Sequence, residues 1–84
     1  MQSVSVVVSK RIASDVQLAT EIIESASKYK SEIWVEKDGR RANAKSLLGM
    51  LSLGLVVSCS LTIIADGSDE YDAVKSLGEM VTMC

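Results

Sequence analysis

The 84-residue chain contains no histidine, and that absence removes more chemistry than any other feature of its composition. Without an imidazole there is no Ser–His or Cys–His nucleophile pair and no histidine metal site. Cysteine is scarce as well. Cys59 and Cys84 are far apart and fall in no CxxC or metal-ligand pattern. Either reads as a small buried residue, and Cys84, at the last position, as a frayed and exposed thiol. Positive charge is not in excess: nine Lys and Arg against eleven Asp and Glu leave a formal charge of -2 and no footprint for direct nucleic-acid binding. Long apolar runs are missing too. The segment from Leu47 to Val57 is broken by glycines and a serine and is too short to span a bilayer. Met1-Gln2-Ser3-Val4 has neither the charged region nor the apolar region of a secretion signal. These features together predict a soluble, cytoplasmic protein with no membrane contact, no metal and no cofactor.

What is present is ordinary globular material. With 48% hydrophobic and 24% charged residues, 84 residues make one domain, 1–84, with no room for a second core. Ser3 to Val8 alternates as a strand, with Val4, Val6 and Val8 on one face. Ser9 to Ser14 is a polar connection carrying Lys10 and Arg11. Ser14-Asp15-Val16-Gln17 fits a capping box, with Ser14 or Asp15 as the cap. The helix it opens runs to about Lys28, with Ala19, Ile22, Ile23 and Ala26 inward and Glu21, Glu24 and Lys28 outward. Glu32 to Glu36 alternates as a second strand, turning Ile33 and Val35 inward and leaving Trp34 exposed beside two glutamates.

Lys37-Asp38-Gly39-Arg40 is a hairpin signal, because Asp-Gly supplies the positive φ that a tight turn requires. Arg41 to Ala44 therefore returns as a short antiparallel strand. Ser60 to Ala65 is the last strand, with Leu61, Ile63 and Ala65 on one face. Asp66 to Asp69 turns into a final helix capped by Ser68 or Asp69, with Ala73, Val74, Leu77, Met80 and Val81 as its apolar stripe. The order β-α-β-β-α-β-α predicts an α+β fold of two layers, and the hairpin excludes a purely parallel sheet. Trp34 and the edges of a small open sheet permit association without demanding it.

Between the third and last strands lies Ala42-Asn43-Ala44-Lys45-Ser46-Leu47-Leu48-Gly49-Met50-Leu51-Ser52-Leu53-Gly54. Ser46 is a good N-cap candidate, because its hydroxyl can accept from the backbone N–H groups of the turn that begins at Leu47. A phosphoryl group on that hydroxyl would sit at the positive end of the helix dipole. Leu47, Leu48 and Leu51 stand at i, i+1 and i+4 on one side of a short helix, and Gly54 closes the segment. From the residues alone, Ser46 reads as a cap and the leucines as core.

The run from Asn43 to Gly54 resembles the regulatory-serine segment of the HPr family. These are the histidine-containing phosphocarrier proteins of the bacterial sugar phosphotransferase system and their regulatory relatives, the catabolite-repression HPr-like proteins. Ala26-Ser27-Lys28-Tyr29, Glu36-Lys37-Asp38-Gly39, and Ala65-Asp66-Gly67-Ser68-Asp69-Glu70 with Ala73 and Leu77 are similar to further family segments. Nearly the whole chain is covered. The resemblance implies an open-faced β-sandwich, a four-stranded antiparallel sheet with three helices on one face. It also implies that an HPr kinase/phosphorylase modifies Ser46. The phosphorylated form would act as corepressor for a catabolite-control transcription factor of the LacI type, with Leu47, Leu48 and Leu51 as the docking patch.

The family pattern breaks at one place. A working HPr carries Gly-x-His-Ala-Arg-Pro-Ala in its first βα connection, and the imidazole relays a phosphoryl group from enzyme I. Here the stretch is Ala13-Ser14-Asp15-Val16-Gln17-Leu18-Ala19. Asp15 takes the histidine position and Gln17 the arginine position, so neither the phosphoramidate nor the guanidinium clamp is available. The catabolite-repression relatives also lack the histidine but keep the arginine and proline. The deeper erosion here puts contact with enzyme I in doubt.

Three readings follow. The first is a non-catalytic, HPr-like regulatory protein switched at Ser46 and acting through protein contacts. The second is a phosphocarrier that uses Asp15 as the acceptor carboxylate. The third is an interaction domain on the same fold with new partners, in which Ser46 and the leucines are structural. Asp15 reads most simply as a favourable charge at a helix N-terminus; a further idea has it mimicking a phosphorylated histidine.

Overall fold

A computed structural model describes residues 1–8, 15–54 and 59–82. The described elements are β1 (Gln2–Val7), α1 (Asp15–Ala26), β2 (Glu32–Lys37), β3 (Arg40–Asn43), α2 (Leu47–Leu51), β4 (Ser60–Asp66) and α3 (Glu70–Thr82). The Ser9–Ser14 connection, with Lys10, Arg11 and the Ser14 cap, lies outside the described residues, as does Cys84.

The four strands form one antiparallel sheet in the order β1-β4-β2-β3. Residues directly opposite one another in such a sheet share a face. Val4 therefore stands in line with Ile63, Val35 and Ala42. This row, with Val6–Leu61 and Ala65–Ile33 beside it, faces the three helices. The period-two patterning of each strand sets this register, since a one-residue slip would turn the valines and isoleucines to solvent.

The core closes from the helical side with Leu18, Ala19, Ile22 and Ala26 of α1, Met50 and Leu53 of the α2 region, and Ala73, Leu77 and Val81 of α3. Leu18 is fully buried although it lies outside the stripe expected from the sequence, while Ile23 is only half-buried. The inward face of α1 is thus rotated by about one residue. Packed helices present a broad apolar stripe rather than a single line.

The turn between β2 and β3 has Asp38 at φ 53° and Gly39 at φ 78°. Two positive φ angles in succession define the primed two-residue turn whose twist matches a hairpin. Helix α1 ends at Ala26, two residues short of Lys28, and unwinds through tighter turns. Lys28 N–H donates to Ser25 O (3.3 Å) and Tyr29 N–H to Ala26 O (3.1 Å).

Among the described residues, the opposite face of the sheet carries no helix. Trp34 lies there in register with Ile64, and it is half-buried rather than exposed. The Arg41 guanidinium lies 5.7 Å from its ring centroid, and Arg41 also reaches Glu36 at 3.5 Å. A cation above the indole face covers part of the ring. Ile64, unassigned by the strand pattern, is 6% exposed beside it.

At the start of α3, the Asp69 carbonyl accepts the first helical bond, from Ala73 N–H at 3.0 Å. The Asp69 side chain is directed away from its own helix. It accepts from Lys30 N–H (2.8 Å), from Ser31 N–H (2.9 Å) and from the Ser31 hydroxyl. These bonds hold its carboxyl below the usual carboxylate range, the Ser31 hydroxyl contributing most.

Candidate functional site

The segment after β3 is built by short-range hydrogen bonds that polar side chains can supply. Asn43 Oδ1 accepts from Lys45 N–H at 2.8 Å, and Asn43 O accepts from Ser46 N–H at 3.0 Å. This turn delivers Ser46 in extended geometry (φ -113°, ψ 116°), the conformation of an N-cap residue. Its Oγ accepts from Gly49 N–H at 3.3 Å, while its carbonyl accepts the first helical bond, from Met50 N–H at 3.0 Å. The expected cap is therefore formed.

At the far end, Ser52 N–H donates to Leu48 O at 3.2 Å and the Ser52 hydroxyl donates to Gly49 O at 2.7 Å. Leu53 O is taken by the Lys37 ammonium at 3.1 Å. Gly54 lies at φ 71°, the left-handed geometry that lets the chain leave the helix.

Two lysines thus brace the segment from outside. Lys45, immediately before Ser46, extends its ammonium to Tyr29 O (3.0 Å) and Ser31 O (3.2 Å). The α1–β2 loop is gripped twice: Asp69 takes its N–H groups and Lys45 takes its carbonyls. Neither role was visible in the sequence, where Lys45 is only one residue of a resembling motif.

The leucines divide. Leu48 is 83% exposed and Leu47 41%, whereas Leu51 is partly buried against the core. Met50 is the residue that anchors the helix, at 0% exposure, with Leu53 at 2%. Of the three leucines singled out from the sequence, only Leu51 packs against the core, and none is fully buried. A helix of five residues can turn only one position fully inward, and Met50 takes it. The unbranched thioether side chain suits an irregular gap between helices. What remains outside is an apolar surface directly beside a half-buried serine hydroxyl.

Asp15 and Gln17 occupy the first turn of α1. Gln17 is exposed, and Val16 between them is 48% exposed. Cys59 is a half-buried free thiol packed against the core. Among the described residues, no group of three or more His, Cys, Asp or Glu side chains could hold a metal ion, and no helix is long and apolar enough to cross a membrane.

Comparison with known proteins agrees with this architecture. The family model described as "PTS HPr component phosphorylation site" matches residues 2–83. The HPr-like protein Crh of Halalkalibacterium halodurans is 40% identical over 55 residues, which is 66% of this chain and 66% of that protein. Two solved structures superpose over almost the whole chain. HPr-C-His from Thermoanaerobacter tengcongensis has a TM-score of 0.89 and 34% identity, covering 96% of this chain and 91% of that one. The phosphocarrier protein HPr from Bacillus anthracis has a TM-score of 0.86 and 30% identity, covering 95% of each. An open four-stranded sheet under three helices, with a capped serine at the second helix, defines an HPr-type fold. The chain belongs to the HPr family of the sugar phosphotransferase system.

Proposed function

We propose that the protein is a regulatory member of this family, switched by phosphorylation of Ser46, and that it works by docking to partner proteins. The observation that carries this reading is the contrast within one short helix. Leu48 and Leu47 stand out in solvent immediately after a half-buried serine whose Oγ already caps the helix. A phosphoryl group on that oxygen adds a charge of about -1.5 to -2 beside an apolar patch. It leaves Met50 and Leu53 undisturbed beneath. The switch would alter the surface without unfolding the segment, which is what a reversible docking signal requires.

The partners are those of the family. An HPr kinase/phosphorylase writes the mark from ATP, and a catabolite-control regulator of the LacI type reads it through Leu47, Leu48 and Leu51. The similarity to Crh supports this assignment, since that relative is itself named an HPr-like protein. Relay of phosphate from enzyme I is disfavoured, because the chain has no histidine. The carboxylate of Asp15 and the amide of Gln17 replace the acceptor and its clamp.

Two incubations decide among the readings. Phosphate gained from ATP and the kinase, and lost in Ser46→Ala, supports the switch. Phosphate gained from phosphoenolpyruvate and enzyme I, and lost in Asp15→Asn, replaces it with a relay. A chain that takes none from either donor is a docking domain with other partners.

A further inference from the structure

The hold of β3 on β2 continues past the end of the strand. Just beyond the pair Trp34–Asn43, Ala44 N–H donates to Ile33 O at 2.9 Å. The next residue, Lys45, directs its backbone N–H to Asn43 Oδ1 at 2.8 Å, so that N–H does not extend the ladder. Its side chain takes over instead. The ammonium donates to Ser31 O at 3.2 Å and to Tyr29 O at 3.0 Å. The carbonyls of Tyr29, Ser31 and Ile33, at alternate positions of the chain, are thus all taken by Ala44 and Lys45.

This strut bears on the residue beside it. Ser31 is 1% exposed, so its carbonyl depends on a protein donor, and a buried acceptor left without one is costly. The Asp69 carboxylate holds the same loop through the N–H groups of Lys30 and Ser31, which makes the loop a fixed abutment for Lys45. Ser46 is therefore located against β2 as well as against its own helix, which at five residues is too short to hold itself. Its Oγ accepts from Gly49 N–H at 3.3 Å. That bond engages one of the oxygen's lone pairs and leaves the other, with the hydroxyl proton, for chemistry.

We infer that Lys45 is a positioning residue for phosphoryl transfer to Ser46, its ammonium strut holding the serine oxygen in the place and orientation at which a kinase meets it. The inference rests on the reading of Ser46 as the phosphorylated serine. In that step the free lone pair of Ser46 Oγ attacks the γ-phosphorus of ATP. The bond from that phosphorus to the β,γ-bridging oxygen breaks, ADP leaves, and the hydroxyl proton passes to a base of the kinase. Such a transfer asks the acceptor chiefly for location, and a displacement of about 1 Å can cost about a hundredfold in rate. Lys45 acts through the backbone it shares with Ser46, since its ammonium is directed to the loop carbonyls.

The test is steady-state phosphorylation of the full chain by an HPr kinase/phosphorylase with ATP, for wild type, Lys45→Met, Lys45→Arg and Lys30→Met. Lys45 is exposed and methionine keeps most of its stem, so the variant folds, which circular dichroism and the urea midpoint check. The expected result for Lys45→Met is a kcat lowered by about tenfold at an unchanged KM, because the docking leucines are untouched. Lys45→Arg keeps a cation with several donors and should recover most of kcat. Lys30→Met removes an equal charge from the same loop and leaves the strut in place, so it should match wild type. An unchanged kcat in Lys45→Met overturns the inference, as does a Lys45→Arg as slow as Lys45→Met. So does a raised KM at unchanged kcat, which would make Lys45 a contact of the kinase. An equal loss in Lys30→Met also overturns it, by reducing the effect to surface charge. A wild type that takes no phosphate where an ordinary HPr does would remove the Ser46 reading itself, and the inference with it.

Discussion

Ser31 and Asp69 are 38 residues apart in sequence, and in the fold the Asp69 carboxylate accepts both the Ser31 N–H (2.9 Å) and the Ser31 hydroxyl. The contact ties the loop entering β2 to the turn that opens α3. Lys45 grips the same loop from the other side through Ser31 O at 3.2 Å. The Ser46 segment and the last helix are thereby held through one shared loop.

The first consequence concerns acid. Asp69 titrates below its ordinary value of 3.8, chiefly through the Ser31 hydroxyl and then through the Lys30 N–H. The native state thus binds this proton less readily than the unfolded chain. Its contribution is complete above the ordinary value and is lost as pH falls through the lower native one. Glu70 is depressed in the same direction by the Met1 ammonium and the Gly67 N–H. Asp69→Asn should therefore lower stability near neutrality and flatten its decline below about pH 4, as measured by urea unfolding across pH.

The second concerns Gly67. A Cβ there would lie 2.6 Å from Ser31 Oγ and 2.7 Å from Ser31 Cα, closer than such atoms come without backbone movement. Gly67→Ala should cost about 1–3 kcal/mol in chemical denaturation, the range for overpacking. Ser31→Gly removes the Oγ but leaves the Cα in place and deletes the hydroxyl that Asp69 accepts from, so it should not rescue that loss.

The third separates anchor from surface within α2. Met50 is fully buried and Leu48 is 83% exposed. Met50→Ala should cost about 2–5 kcal/mol. Leu48→Ala should stay within about 0.5 kcal/mol of wild type, yet weaken partner binding. Urea unfolding reads the first pair of effects, and titration against the LacI-type regulator reads the last.

The fourth concerns the cap. Ser46 Oγ accepts from Gly49 N–H at 3.3 Å. Ser46→Ala should cost about 1 kcal/mol, the usual loss for an N-cap serine. Ser46→Gly should cost only a few tenths, because water can reach the freed N–H of a half-exposed cap.

Features written in neighbouring residues were legible in the sequence. The Asp38-Gly39 turn, the inward valines of β1, the face of β4 formed by Leu61, Ile63 and Ala65, and the Ser46 cap all depend on residues within a few positions of one another. The stripe of α3 was legible for the same reason, although Gly78 joins its buried face for closeness to β1 and not for hydrophobicity. Features that depend on distant partners were not. Nothing near Asp69 indicates that its carboxylate serves Ser31, and nothing near Lys45 points to the Tyr29 and Ser31 carbonyls. Trp34 was expected to be exposed because its strand neighbours are glutamates, but Arg41 from the adjacent strand covers it. Met50 was passed over for three leucines because a five-residue helix is too short for periodicity to choose its inward side.

The most direct test of the account is the affinity of purified Ser46-phosphorylated protein for a LacI-type catabolite-control regulator, beside that of the unmodified chain and of phosphorylated Leu48→Ala. The account predicts that phosphorylation tightens binding by at least about tenfold, or about 1.4 kcal/mol, and that Leu48→Ala removes most of the gain. Equal affinities with and without the phosphoryl group would contradict it, and would leave Ser46 a cap and Leu48 an incidental surface residue.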